Sequence, residues 1–213
     1  MLKVIPALVL VALMAATASA DTLNNVIVTQ VDNSAALSGY VTNDISIDFT
    51  GQYTQSQLLI TLTQGSIYQD GFGGDTAPNA GFIGLVPSLA FDTFVTLGGA
   101  TTATSVDTPS FAGGAINLGG QVSKTFNTST IDAAWFVPGG TTIFDNNNFL
   151  SARVTLSDDA VGTWSYYGLG SFPAYTASGT VSGGQLIIPE PASLVLLAAG
   201  GLTFVVRGRR RTA

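Results

Sequence analysis

Short runs in which apolar and polar residues alternate one by one dominate the middle of this chain. In Asp44-Ile45-Ser46-Ile47-Asp48-Phe49-Thr50, the residues Ile45, Ile47 and Phe49 fall on one side. Leu58, Ile60 and Leu62 repeat the pattern, and so do Phe91, Thr93, Val95 and Leu97. Leu150, Ala152, Val154 and Leu156 stand opposite Ser151, Arg153, Thr155 and Ser157, and Trp164 shares a side with Tyr166. A period of two predicts a strand with one buried and one wet face. Val26–Val31 and Gln185–Ile188 read as further strands, with weaker signals at Gly114–Leu118, Val122–Phe126 and Ala133–Val137. Breaks rich in Gly, Pro, Asn and Asp separate them, such as Asp70–Asn79, Pro138-Gly139-Gly140 and Asp145–Asn148. Glycine permits positive φ, and Asx side chains close turns. Ala152–Tyr167 reads as a hairpin around the polar turn Ser157–Gly162. Together these signals predict an all-β fold, an antiparallel β-sandwich of jelly-roll or immunoglobulin-like order. No repeat unit points to a solenoid or propeller. The long break from Gly65 to Leu89 holds either a functional loop or a crossover between sheets.

The two ends carry a different pattern, continuous rather than alternating. After Met1-Leu2-Lys3, an apolar run extends from Val4 to Ala16, followed by Ala18-Ser19-Ala20 and then polar Asp21. One positive charge, a short apolar stretch and an A-x-A site predict a secretory signal peptide over residues 1–20, cut between Ala20 and Asp21. Signal peptidase and the secretion machinery are therefore expected partners. At the other end, Pro189-Glu190-Pro191 precedes an apolar run to Val206 and a basic end, Arg207, Arg209, Arg210 and Arg211. As a helix, Ala192–Val206 spans about 22 Å, short against a hydrocarbon core of about 30 Å. It predicts a short C-terminal transmembrane helix. The positive-inside rule keeps the arginines in the cytoplasm and puts residues 21–188 across the membrane, the side the signal peptide also demands.

Composition sharpens this picture. Between the two ends, twelve aspartates face only two cations, Lys124 and Arg153, leaving ten uncompensated negative charges. Such a surface repels phosphate backbones, so nucleic acid is excluded as a partner. Only 9% of residues are charged, and Glu and Lys are scarce, which favours strands over helices. The chain has no Cys, so no disulfide supports it outside the cell, and its stability must come from the core.

The C-terminal features, in this order and beside a signal peptide, closely resemble the PEP-CTERM sorting domain of bacterial exported proteins. That tail is also labelled an ice-binding-protein C-terminal domain, a label that implies no ice binding. The resemblance covers residues 189–213. It implies recognition by an exosortase-type membrane protease, with Pro189, Glu190 and Pro191 as the sorting motif. Cleavage there would release or transfer the protein, after transient membrane insertion, to the cell surface or extracellular matrix. The prolines hold the segment extended, a form a protease can bind. The expected organisation is thus a signal peptide (1–20), an exported domain (21–188) and a sorting tail (189–213).

Candidate chemistry is sparse. With no His and no Cys, there is no imidazole base, no thiol nucleophile and no usual zinc ligand set. No cofactor is expected, and the protein reads as a non-enzymatic surface or matrix protein associated with exopolysaccharide. Asp70-Gly71-Phe72-Gly73-Gly74-Asp75 offers oxygen ligands for Ca²⁺ through Asp70 and Asp75, but it lacks the EF-hand order. Trp135, Trp164, Tyr166, Tyr167, Phe172 and Tyr175 serve either as core or as a sugar-stacking platform, which makes an extracellular glycan-binding module the alternative function. Asn127-Thr128-Ser129 matches an N-glycosylation acceptor by sequence alone.

Overall fold

A computed structural model describes residues 21–189. The signal-like segment with Ala18 and Ala20, and the tail from Glu190 with Pro191, Arg207, Arg209, Arg210 and Arg211, lie outside the described residues.

One strand organises the rest. β2, Tyr40–Gln64, runs for 25 residues and joins the alternating segments around Ile47 and Ile60 into a single element. Gly51, at φ +98°, marks the bend between its halves, and a Cβ there would overlap Asp21 and Ser171. The N-terminal half pairs with β1 (Thr22–Val31) and β7 (Ile143–Ser157). The C-terminal half pairs with β6 (Thr130–Phe136) and β8 (Val161–Gly170). β3 (Phe94–Gly98) lies against β7, while β4 (Ser110–Gly113) and β5 (Thr125–Phe126) flank β6. β9 (Tyr175–Ser182) and β10 (Gln185–Ile187) extend outward from β8. All these pairings are antiparallel, so the fold is all-β, a single sheet curled on itself.

The curl makes the core continuous. Ile45, Ile47 and Phe49 from one half of β2 and Leu58 and Ile60 from the other are at most 1% exposed. They join Trp135, Phe149, Val154, Leu156, Trp164 and Tyr166 in one cluster. Full burial of each large apolar side chain stabilises the fold by roughly 1.5–3 kcal/mol.

Five local expectations need correction. Ala152–Tyr167 is not a hairpin: β7 and β8 pair with opposite halves of β2, and the turn between them carries the chain from one half to the other. Its Ala160 is fully buried, and its carbonyl accepts from Gly184 N–H. Leu150 does not share a face with Ala152. Ala152 pairs with Ile45 and Leu150 with Ser46, so Ser151 is the extra residue of a bulge, and Phe149 takes the core position. The expected wet face of β7 is dry, with Ser151 and Thr155 at 0% and Arg153 at 8% exposure. β3 pairs alongside β7, and the segment before it reaches that face, where the Ala90 carbonyl accepts from Arg153 Nη1. Phe91 ends a 3₁₀ turn, Pro87–Phe91, that Pro87 initiates, so the strand begins only at Phe94. Gly114–Leu118 forms no strand: Ile116–Leu118 is a 3₁₀ turn closed by left-handed Gly119, and the strand lies earlier, at β4.

The other weak signals fare better. Val122–Phe126 contracts to β5, and Ala133–Val137 falls largely within β6. The long break after Gly65 holds a one-turn α-helix, Ala80–Ile83, and the 3₁₀ turn. Among the described residues, no helix is long and apolar enough to cross a membrane.

Candidate functional site

The Gly-rich loop does not bring Asp70 and Asp75 together. One Asp70 oxygen accepts from Phe72 N–H at 2.9 Å, and the other accepts from Ser88 Oγ at 2.7 Å and Tyr68 OH at 3.0 Å. Burial pushes this carboxyl up, but the three donors outweigh it and hold Asp70 below the ordinary value. Asp75 turns instead to Lys124, at 2.7 Å, whose ammonium also lies 3.8 Å from the centre of the Phe111 ring. Among the described residues, no three acidic side chains converge where a metal could be held.

The loop is organised by a carboxylate that the sequence does not single out. Asp92 is fully buried and accepts Asp70 N–H at 2.8 Å and Gly74 N–H at 3.0 Å. Gly73 rests directly on it, where any Cβ would collide with Oδ2. Burial pushes its pKa up to about 6, against the pull of those N–H donors. Asp132 plays the same part elsewhere: nearly buried, it accepts Ala115 N–H and Gln121 N–H and pins the turn after β4. Both are aspartates whose partners lie far away in sequence, and no local motif marks them.

The aromatic side chains divide. Trp135, Trp164, Tyr166 and Phe172 are at most 2% exposed and belong to the core. Tyr167 and Tyr175 are half-buried. Tyr175 pairs across the ladder with Gly168, one residue on from Tyr167, so the two rings point to opposite faces of the sheet. These six therefore present no row of rings.

Inside the core lies a small hydroxyl cluster. Tyr53 OH donates to Ser56 Oγ at 2.8 Å, Ser56 bonds to Tyr166 OH, and Tyr166 OH meets Ser151 Oγ at 2.8 Å. Burial pushes Tyr53 up to about 12 and raises Tyr166 well above its ordinary value, so both hydroxyls stay protonated. Trp135 Nε1 beside them has no hydrogen-bond partner among the described residues.

Of the sorting and cleavage residues, Asp21 and Pro189 are described, and both are exposed. Pro189 stands at the end of an open groove of about 420 Å³ between β1, at Asn25 and Val26, and β9, at Tyr175–Ser178. Asn127 sits exposed at the turn between β5 and β6, its Oδ1 accepting from Ser129 N–H at 2.9 Å. No family model, curated protein or solved structure matches this chain.

Proposed function

We propose that this chain is an exported, non-enzymatic bacterial cell-surface or extracellular-matrix protein, sorted through its C-terminal tail and cut at Pro189-Glu190-Pro191 by an exosortase-type membrane protease. The order of segments carries the reading. A signal-like N-terminus, a β-rich acidic body, a proline-flanked glutamate, a short apolar run and an arginine cluster follow one another. The placement of Pro189 supports it, because the last strand ends at Ile187 and leaves Pro189 exposed.

In this reading the two halves of the curled sheet act as the layers of a sandwich. The Ser151–Tyr166 hydrogen bond supports that arrangement, since it reaches from a strand paired to one half of β2 to a strand paired to the other. The body then serves cohesion or display in an exopolysaccharide matrix. Both of its cations are committed internally, Arg153 to Asp44 and Lys124 to Asp75, so its outward charge is carboxylate.

Intact-mass measurement of the protein recovered from outside the cell tests this. The expected mass lacks residues 1–20 and everything beyond the sorting motif. A mass that retains Arg207–Arg211 would overturn the cleavage reading, and recovery of the whole chain from cytosol would overturn export.

A further inference from the structure

β10 ends at Ile187, with Ile188 between it and the sorting motif at Pro189. Its residues pair as Gln185↔Ser182, Leu186↔Val181 and Ile187↔Thr180. Leu186 N–H points away from β9, donating to Asn43 Oδ1 on β2 at 3.2 Å. Neighbouring residues of an antiparallel strand aim their backbone groups to opposite sides, so Ile187 aims its own at β9. Its carbonyl leans over Gly179 of β9, where a Cβ would overlap it, and accepts from Trp164 Nε1 at 3.3 Å.

Carried forward, this register sets residue 189 opposite Ser178 and residue 191 opposite Thr176, each with its N–H directed at β9. Both residues are proline and have no N–H. Residue 190 would face Ala177, which is 7% exposed and part of the core. Directly opposed residues share a face of the sheet, so a continued strand would turn the Glu190 carboxylate inward, at a large desolvation cost. Meanwhile the edge of β9 from Tyr175 to Ser178 borders the open groove, and among the described residues no strand pairs with it on that side. Such an edge is a template for any extended segment that can hydrogen-bond to it.

We propose that Pro189, Glu190 and Pro191 form a three-part ladder stop, which keeps the cleavage segment from zipping onto β9 as a continuation of β10. Two residues lack the donors the ladder needs, and the third carries a charge the inner face rejects. The purpose assigned to the stop rests on the sorting reading; the stop itself rests only on the register.

Amide hydrogen exchange on the full chain in detergent, resolved to single residues, tests it without any sorting enzyme. In the native sequence Thr176 and Ser178 should exchange fast, while core amides such as Tyr166 stay protected and report folding. Combining Pro189→Thr, Glu190→Val and Pro191→Thr should slow Thr176 and Ser178 at least tenfold and make residues 189–192 resistant to a broad-specificity protease. Native protection at Thr176 and Ser178, or equal exchange in the two forms, would overturn the proposal. A retained tail in the exported protein together with the expected exchange difference would defeat the sorting reading and leave the ladder stop standing.

Discussion

Asp44 and Arg153 stand directly opposite one another on β2 and β7, and the carboxylate takes the guanidinium in a two-point grip, Nε to Oδ1 at 2.7 Å and Nη2 to Oδ2 at 2.8 Å. The third arm, Nη1, donates to the Ala90 carbonyl at 2.6 Å, and the guanidinium carbon lies 5.8 Å from the centre of the Phe94 ring. One arginine thus fastens the end of the long excursion after Gly65 to the body. Its aliphatic stem and charge replace the wet face that alternation alone predicts for β7.

Removing one partner of this pair leaves the other charge shielded from water and uncompensated. Asp44→Ala should therefore lower unfolding free energy by about 3 kcal/mol, measured by urea titration. An apolar exchange of both, Asp44→Leu with Arg153→Met, should recover most of the loss, because no charge is then left buried. A double variant as unstable as the single one would refute this account.

Asp92 sets a pH dependence of opposite sign to that of a salt-bridged carboxylate. Its pKa in the fold, pushed up to about 6 by burial, exceeds the ordinary value of 3.8. Between those values the folded chain binds more protons than the unfolded one, so this group's stabilisation is complete below about pH 4 and lost as pH rises through about 6. Asp70, held low by its donors, works the other way and loses its stabilisation as pH falls below 3.8. Melting temperature should consequently peak in mildly acid buffer. Asp92→Asn should flatten the decline between pH 4 and 7, and an unchanged slope would assign the decline to another group.

Tyr166 ties two strands of the core together through its hydroxyl, with Ser56 on β2 and Ser151 on β7 as partners. Tyr166→Phe keeps the ring and its edge-on contact with Trp135 but strips both serines of that partner. The expected cost is about 2 kcal/mol, read from thermal or chemical unfolding. Ser151→Ala alone should cost less, because Ser56 still holds Tyr166. Equal losses from the two changes would mean that Ser151, not the tyrosine, anchors the cluster.

Much of the fold is legible in the alternation. Ile45, Ile47, Phe49, Leu58, Ile60, Trp164 and Tyr166 all lie where a period of two puts them, because one-sided burial selects the residue types directly. Leu150 misleads because a one-residue bulge at Ser151 reverses the faces, and no local residue signals a bulge whose register is set by β2. The apparent Ca²⁺ loop misleads for a similar reason. Asp70 and Asp75 are close in sequence, but hydrogen bonds to Ser88 and Tyr68 and an ion pair with Lys124 draw them to different partners.

By itself, the sequence determines that the body is β-built, that its surface is anionic, that imidazole and thiol chemistry are absent, and where its polar and apolar segments begin and end. These properties depend on residue type and on spacing of a few positions, which the chain carries locally. Tertiary structure alone decided that one long strand serves both halves of the sheet, that a bulge at Ser151 reverses the faces of β7, and that Asp92 and Asp132 are internal struts. The first two depend on a register between strands, and the struts on loops folding back over them, so each is fixed by partners beyond the reach of local sequence.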